Sequence, residues 1–240
     1  MYVEQKFFVG LQDIDAPNKV TNKAILTFLE DAGGVHSNLA GYGLRTIKET
    51  NFSWIILNWK LKVFKRANYA DTVTVRTWSA GADKLYAYRD FEVLNEVGDI
   101  IAIATSKWIS VNIKTGRINK LTEEIIKPYK GESRRVFENY DFTKIEEPEK
   151  IDNSVKYTIN RQMIDINKHV HNVCYYDLAE IAIPEEIIEN MEFNNVEIMY
   201  KKEIKLGEAV KCNYTKLGKE NIIKIKSEDE KVLHAIVKLS

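Results

Sequence analysis

Cysteine is scarce in this chain, with only Cys174 and Cys212 in 240 residues. Two thiols cannot build a disulfide framework, and such sparse use fits a reducing, cytoplasmic setting. An excess of one charge sign is also missing, because 35 Lys and Arg face 35 Asp and Glu. No global field therefore points to nucleic acid as a partner. No uninterrupted apolar run approaches the roughly 20 residues of a membrane span. The first residues, Met1 to Phe8, carry an acid at Glu4 and no long apolar core, so a signal peptide is not expected. What remains is the composition of a soluble globular protein, 45% apolar and 29% charged. A chain of this length has room for one large domain or two small ones.

One stretch concentrates the chemistry. From Gln162 to Tyr175 an acid, an amide and an imidazole stand at every second residue: Asp165, Asn167 and His169. An amphipathic run, Tyr175 to Ile183, follows and is closed by Pro184. Asn172 reads as the N-cap of that helix, which places the polar cluster just before a helix N-terminus. Free backbone N–H groups and the positive end of the dipole there can hold an oxyanion. An acid/base group, an amide donor and an oxyanion site in one loop suit acyl transfer. The same residues are also ordinary turn and capping residues.

An internal repeat weighs between these readings. Shifted by 150 positions, Gln12 to Asn22 falls on Gln162 to Asn172 without a gap. Gln12, Ile14, Asp15, Val20 and Asn22 recur as Gln162, Ile164, Asp165, Val170 and Asn172, and Glu30 and Ala32 as Glu180 and Ala182. Where the second copy has Asn167 and His169, the first has Pro17 and Lys19. One copy is armed and the other blank, which a purely structural loop does not explain.

The rest of each half reads alike. Ala24, Ile25, Phe28, Leu29, Ala32, Val35 and Leu39 form one apolar helix face. Within it Gly33 and Gly34 predict a close approach by another backbone or a ligand, and His36 reads as structural. Alternating runs follow at 52–64, 71–78, 85–94 and 100–111, and the Trp54, Trp59, Trp78 and Trp108 stripe is expected in the core against the helix or along a pocket wall. After the second loop and helix come strands at 195–204, 209–214, 221–226 and 232–237. The expected class is α+β: two tandem hot-dog domains, each a central helix wrapped by a curved antiparallel sheet.

At these residues the chain resembles the fatty acyl-ACP thioesterases of plant plastids and bacteria. Their D-x-N-x-H-V-N-N-x-x-Y loop stands here as Asp165, Asn167, His169, Val170, His171, Asn172 and Tyr175, with His171 in place of the first Asn of V-N-N. Trp54-Ile55-Ile56, Trp78, Arg89-Asp90-Phe91 and Ala104 to Trp108 extend the resemblance over the first half. It implies an enzyme that hydrolyses acyl-ACP thioesters to free fatty acid. Residues 1–140 would form an acyl-chain pocket without catalytic residues, 141–153 a linker, and 154–240 the catalytic domain. A second family signature appears as Tyr200-Lys201-Lys202-Glu203; where plant members then have a cysteine, this chain has Ile204.

That departure favours water as nucleophile, with Glu203 and His169 positioning and deprotonating it. Glu203 can also be read as a solvated strand residue. Asn167 and backbone N–H groups near Val170 would hold the carbonyl oxygen, and Asp165 would orient the loop. Ala32, Gly33, Trp54 and Val170 would line the substrate. An acidic acyl carrier protein is the expected partner, steered by Lys65, Arg66, Lys201, Lys202 and Lys205, although strand ends often carry solvated lysines. No cofactor, metal, nucleic acid or membrane span is expected, and a homodimer is compatible with the sequence. The rival readings are an acyl-CoA thioesterase, a hydratase or dehydratase of the same fold, and a non-catalytic acyl-binding module.

Overall fold

The computed structural model describes residues 2–138, 142 and 144–240. The chain divides into two compact units, Met1–Phe142 and Thr143–Ser240.

The first unit opens with β1 (Val3–Phe8), a single 3-10 turn (Leu11–Asp13) and α1 (Asn22–Leu39). The short α2 (Ile47–Thr50), then β2 (Phe52–Val63), β3 (Thr72–Ala82), β4 (Ala87–Leu94), β5 (Ile100–Asn112) and α3 (Glu123–Ile126) follow. Its sheet runs β1-β3-β4-β5-β2, with every neighbour antiparallel. α1 starts where Thr21 caps it, the hydroxyl accepting from the Ala24 N–H at 3.1 Å. Leu26, Leu29 and Ala32 on its apolar face are fully buried, as are Val75, Phe91 and Ala104 of the strands.

The tryptophans divide between environments. Trp59 is in the core, its ring 5.2 Å from that of Phe91. Trp54 and Trp108 are half-buried. Trp78 is buried away from the helix, contrary to expectation. Its indole N–H donates to the Arg134 carbonyl at 2.9 Å, and the Arg134 guanidinium lies 4.1 Å from its ring centre. Strand alternation is the reason: Val73, Val75 and Thr77 take one face of β3, so Trp78 must take the other.

The second unit repeats the plan: β6 (Asn153–Thr158), a 3-10 turn (Arg161–Met163), α4 (Cys174–Glu180), α5 (Glu185–Asn190), β7 (Asn195–Tyr200), β8 (Ala209–Leu217), β9 (Glu220–Ser227) and β10 (Leu233–Leu239). Its sheet runs β6-β8-β9-β10-β7, the same topology in the same sense. Each unit is thus a hot-dog, with a helix laid on an antiparallel sheet, and the class is α+β.

Of the stretch expected as a linker, Asp141 and Thr143 lie outside the described residues, as do Met1, Asn139 and Tyr140 of the expected first domain. Phe142 stacks on Tyr88 of β4, ring centres 6.5 Å apart, whereas later residues of the stretch pack on the second sheet. Ile145 joins Met199, Ile222 and Ile236 in an apolar cluster, and the Lys150 carbonyl accepts from the Thr215 hydroxyl at 2.5 Å. Among the described residues no helix is long and apolar enough to cross a membrane.

Candidate active site

Between β6 and α4 the chain makes a tight loop whose shape follows from one carboxylate. Asp165 Oδ1 accepts from the N–H of Asn167 at 2.8 Å and of His169 at 3.2 Å, and Oδ2 accepts from the Asn167 amide at 3.1 Å. Asp165 N–H donates to the His169 carbonyl at 2.9 Å, closing the loop. Lys168 is forced into the left-handed region at φ 66°, a conformation that non-glycine residues seldom adopt. The acid therefore bonds to the loop's own backbone and to Asn167, which is exposed, while His169 is half-buried. Among the described residues the His169 imidazole makes no hydrogen bond, which leaves both ring nitrogens open to a ligand.

The helix N-terminus differs from expectation. Asn172 is not the cap; the N-cap is Val173, in right-handed helical conformation and with no side-chain cap bond. The helix is also shorter than the predicted run, ending at Glu180. Most N–H groups of the segment are engaged. Val170 donates to the Ile204 carbonyl at 2.9 Å, His171 to Met163 at 2.8 Å, and Cys174, Tyr175 and Tyr176 to His171, Asn172 and Val173 at 2.9, 3.3 and 3.0 Å. From His169 to Tyr176, only the N–H groups of Asn172 and Val173 lack a partner among the described residues. The Val170 N–H, near which oxyanion donors were expected, is engaged, and the open N–H groups lie two and three residues further along. Val170 itself is buried.

Glu203 lies in a loop and not in a strand, because β7 stops at Tyr200. Lys201 and Lys202 both turn their N–H groups on one carbonyl, that of His234, at 2.8 and 3.2 Å, and this ends the ladder. The Glu203 carboxylate is exposed and makes no hydrogen bond or ion pair among the described residues. Tyr175 ties the pieces together: its hydroxyl lies 3.4 Å from the Lys202 carbonyl. Burial pushes this phenol up, a backbone hydrogen bond at Ile204 opposes that, and the charges of Glu203, Glu208 and Asp165 add to the rise.

The first unit builds the same backbone. Asp15 N–H donates to the Lys19 carbonyl at 3.0 Å, Val20 to Ala67 at 2.9 Å and Thr21 to Asp13 at 2.8 Å, bond for bond as in the second. Asn18 takes the left-handed position at φ 61°. The bridge between Lys19 and Asn68 answers to that between His169 and Lys205. By this register Arg66 is the first unit's counterpart of Glu203. Arg66 donates to the Val20 carbonyl at 2.9 Å and to Asn22 Oδ1 at 3.1 Å. Its half-buried guanidinium braces the loop. Lys65, Lys201, Lys202 and Lys205 are exposed.

Of the expected substrate wall, Ala32 is fully buried. A Cβ on Gly33 would meet Arg89 Cδ at 3.4 Å, so the close approach expected there is by an arginine stem. Trp54 donates to the Tyr129 hydroxyl at 2.7 Å. His36 is structural, as read from sequence: Arg89 donates to its Nδ1 at 2.9 Å, and its Nε2 faces the Tyr129 carbonyl at 3.2 Å. Burial, with the Arg89 charge, pulls its pKa down to about 4. Two residues at the second site escaped the sequence reading, His234 and Tyr175. Tyr175 carried a signal, as the last residue of the loop motif; His234 carried none.

Models of the acyl-ACP thioesterase N-terminal domain and C-terminal domain match residues 1–129 and 146–238. The chain is 23% identical over 223 residues to oleoyl-acyl carrier protein thioesterase 1, chloroplastic, of Arabidopsis thaliana, covering 86% of this chain and 62% of that protein. It is 27% identical over 215 residues to a palmitoyl-acyl carrier protein thioesterase, chloroplastic, of Gossypium hirsutum, covering 83% and 51%. It therefore spans about half to three-fifths of the length of these curated relatives. Among solved structures, an acyl-ACP thioesterase from Bacteroides thetaiotaomicron superposes with TM-score 0.88 at 20% identity, covering 99% of this chain and 96% of that one. The 12:0-ACP thioesterase from Umbellularia californica gives 0.85 at 17%, covering 100% and 96%. At these identities the likeness shows the fold.

Proposed function

We propose, because the chain belongs to the acyl-ACP thioesterase family, that it hydrolyses the thioester of a fatty acyl chain carried on acyl carrier protein, ending the chain's synthesis. The products are a free fatty acid and the carrier thiol. The observation that carries this reading is the pair of loops with one backbone and two sets of side chains. The second presents Asn167, His169 and Glu203 where the first has Pro17, Lys19 and Arg66.

In the mechanism we assign, Glu203 and His169 hold and deprotonate a water that attacks the thioester carbon. The Asn167 amide and the N–H groups of Asn172 and Val173 receive the oxygen as it gains charge. The carbon–sulfur bond then breaks, and the thiolate leaves and takes up a proton. A thiol of pKa about 8.5 is a good leaving group, so little acid assistance is needed. Asp165 keeps Asn167 and His169 in place and does not touch substrate. Val170 flanks the carbonyl, and the catalytic unit is the second.

The first unit, on this reading, selects the acyl chain at Trp54, with Ala32 and Gly33 of α1 as a supporting layer, Gly33 lying behind the Arg89 stem. Lys65, Lys201, Lys202 and Lys205 steer the acidic carrier protein, raising the association rate. The setting is cytoplasmic, which the two buried thiols Cys174 and Cys212 support; the plant relatives are named chloroplastic.

The test is mass-spectrometric detection of released free acid from acyl-ACP, which also separates hydrolysis from hydration of the chain. His169→Ala, Asn167→Ala and Glu203→Ala should each lower turnover about 100-fold or more. Lys19→Ala, at the blank counterpart of His169, should leave it unchanged. Equal damage from Lys19→Ala would refute the assignment.

A further inference from the structure

β10 does not run straight through His234. Its pairing with β9 slips there, Leu233 lying opposite Lys226 and Ala235 opposite Ile225, so His234 is the extra residue of a β-bulge. Bulges re-aim a side chain and are common beside active sites. Here the bulge aims both main chain and ring at one target. The His234 carbonyl accepts from Lys201 N–H at 2.8 Å and from Lys202 N–H at 3.2 Å. Its ring Nδ1 lies 3.1 Å from the Lys202 carbonyl. A carbonyl can only accept, so Nδ1 carries the proton in this contact. Lys202 is thereby gripped at both its N–H and its C=O, immediately before Glu203.

The first unit holds the same bulge without the ring contact. β4–β5 pairing slips between Val93 opposite Ala102 and Leu94 opposite Ile100, leaving Ile101 extra. The Ile101 carbonyl accepts from Phe64 and Lys65 N–H at 2.8 and 3.1 Å, as His234 does from Lys201 and Lys202. Main-chain folding of this corner therefore needs no histidine. The imidazole is present only in the copy whose next residue is Glu203, and it is an isoleucine in the copy whose counterpart is Arg66. This is the armed-and-blank contrast of the loops, found a second time on a different strand.

We propose that His234 is a positioning residue that fixes the Glu203 carboxylate for its work on water, through the Nδ1–H bond to the Lys202 carbonyl. This rests on the reading of Glu203 as a participant in hydrolysis. His234 is buried and touches no reacting atom. Its effect is on the placement of a neighbour, where an error near 1 Å can cost about 100-fold in rate.

The amide nitrogen of asparagine mimics Nδ1, and that of glutamine mimics Nε2. In the full chain, with a series of saturated acyl-ACP thioesters as substrates, His234→Asn should keep kcat within about threefold of the parent, since the donor to Lys202 survives. His234→Gln and His234→Ile should lower kcat about 10- to 100-fold while KM moves less than about twofold. Isoleucine is the residue the first unit carries at this bulge, so the variant should fold, with an unchanged circular-dichroism spectrum. If it does not fold, the asparagine–glutamine pair decides alone.

Glu203→Gln is measured beside them. Adding His234→Gln to Glu203→Gln should cost nothing further, because the group it positions is already gone. A parent-like Glu203→Gln would sink the reading of Glu203 itself, whatever His234 does. An impaired Glu203→Gln with a parent-like His234→Gln would overturn the positioning role alone. A full multiplicative loss in the double variant would also overturn it, since His234 would then act apart from Glu203.

Discussion

In the first unit Thr21 caps an 18-residue helix; in the second, His171 stands at the place of Thr21 and the helix has 7 residues. The sheets differ in the same way beneath a shared register. Trp78 pairs with Asp90 in the first unit where Thr215 pairs with Ile222 in the second. Asp90 is a buried carboxylate held by Arg135 Nε at 3.2 Å, the Val136 N–H at 3.0 Å and the Thr105 hydroxyl at 2.7 Å. Ile222 instead packs in an apolar cluster with Ile145. Next along, Glu92 is clamped by Arg134 at 2.6 Å and Arg76 at 3.2 Å, while its counterpart Lys224 donates to the Pro148 carbonyl. Main-chain geometry, then, is indifferent to these exchanges. What each unit is for resides in side chains at equivalent positions.

The largest effect expected from breaking that comparison is at Asp90. Arg135→Ala leaves a buried carboxylate without its cation and should cost about 3–5 kcal/mol of stability. Replacing both partners, Asp90→Ile with Arg135→Met, copies the apolar solution of the second unit. That double variant should be no less stable than the parent and up to about 4 kcal/mol more stable. Urea midpoints with unchanged slopes would measure both. A double variant as weak as Arg135→Ala would mean that the two outer faces are not interchangeable solutions.

Acid should separate the units next. The His36 pKa is pulled down to about 4, first by burial and then by the Arg89 charge, from 6.5 in the unfolded chain. Between these values the native state binds fewer protons than the unfolded state, so stability rises with pH across the window and falls on acidification. The loss at pH 5 relative to neutrality is about 2 kcal/mol. No histidine stands at the matching place in the second unit, where Glu186 lies exposed on α5. His36→Gln keeps an acceptor for Arg89 and a donor for the Tyr129 carbonyl but cannot titrate there. Its stability difference from the parent should therefore shift in its favour between pH 7 and pH 5. Parallel pH profiles for the two proteins would show that the acid sensitivity arises elsewhere.

How far the sequence could be read depends on whether a feature is local. The armed loop was legible because Asp165 acts on residues two and four places away, and its repeat could be laid over Asp15 directly. The fold was legible because the alternating runs and the apolar helix face are periodic. The end of β7 was not: residues 195–204 continue an acceptable strand pattern, and only the carbonyl of His234, distant in sequence, turns Lys201 and Lys202 out of the ladder. The face of Trp78 was available from alternation with Val73, Val75 and Thr77, but the aromatic stripe drew it to the wrong side. His234 looked like any strand residue, since a bulge is a property of pairing between strands.

The cap of the second helix is the finest test of the comparison, because sequence and structure disagree there. Asn172 is a favoured N-cap type, and taken alone it predicts a side-chain bond to the helix start. The repeat argues otherwise: its cap position is that of Thr21, which falls on His171, one residue before Asn172. In the structure Asn172 forms part of a turn whose carbonyl accepts from Tyr175 N–H at 3.3 Å and from the Tyr200 hydroxyl at 3.0 Å. These are main-chain contacts that survive truncation of the side chain. Thr21→Ala, by contrast, deletes the acceptor for Ala24 N–H and should cost about 1 kcal/mol. In a chain of this size that lowers the melting temperature by about 2–4 °C. Asn172→Ala should stay within about 0.5 kcal/mol of the parent, as substitutions away from caps and cores do. A loss from Asn172→Ala equal to that from Thr21→Ala would place the cap where the residue type alone puts it, and the loops of the two units would then part company at the helix start.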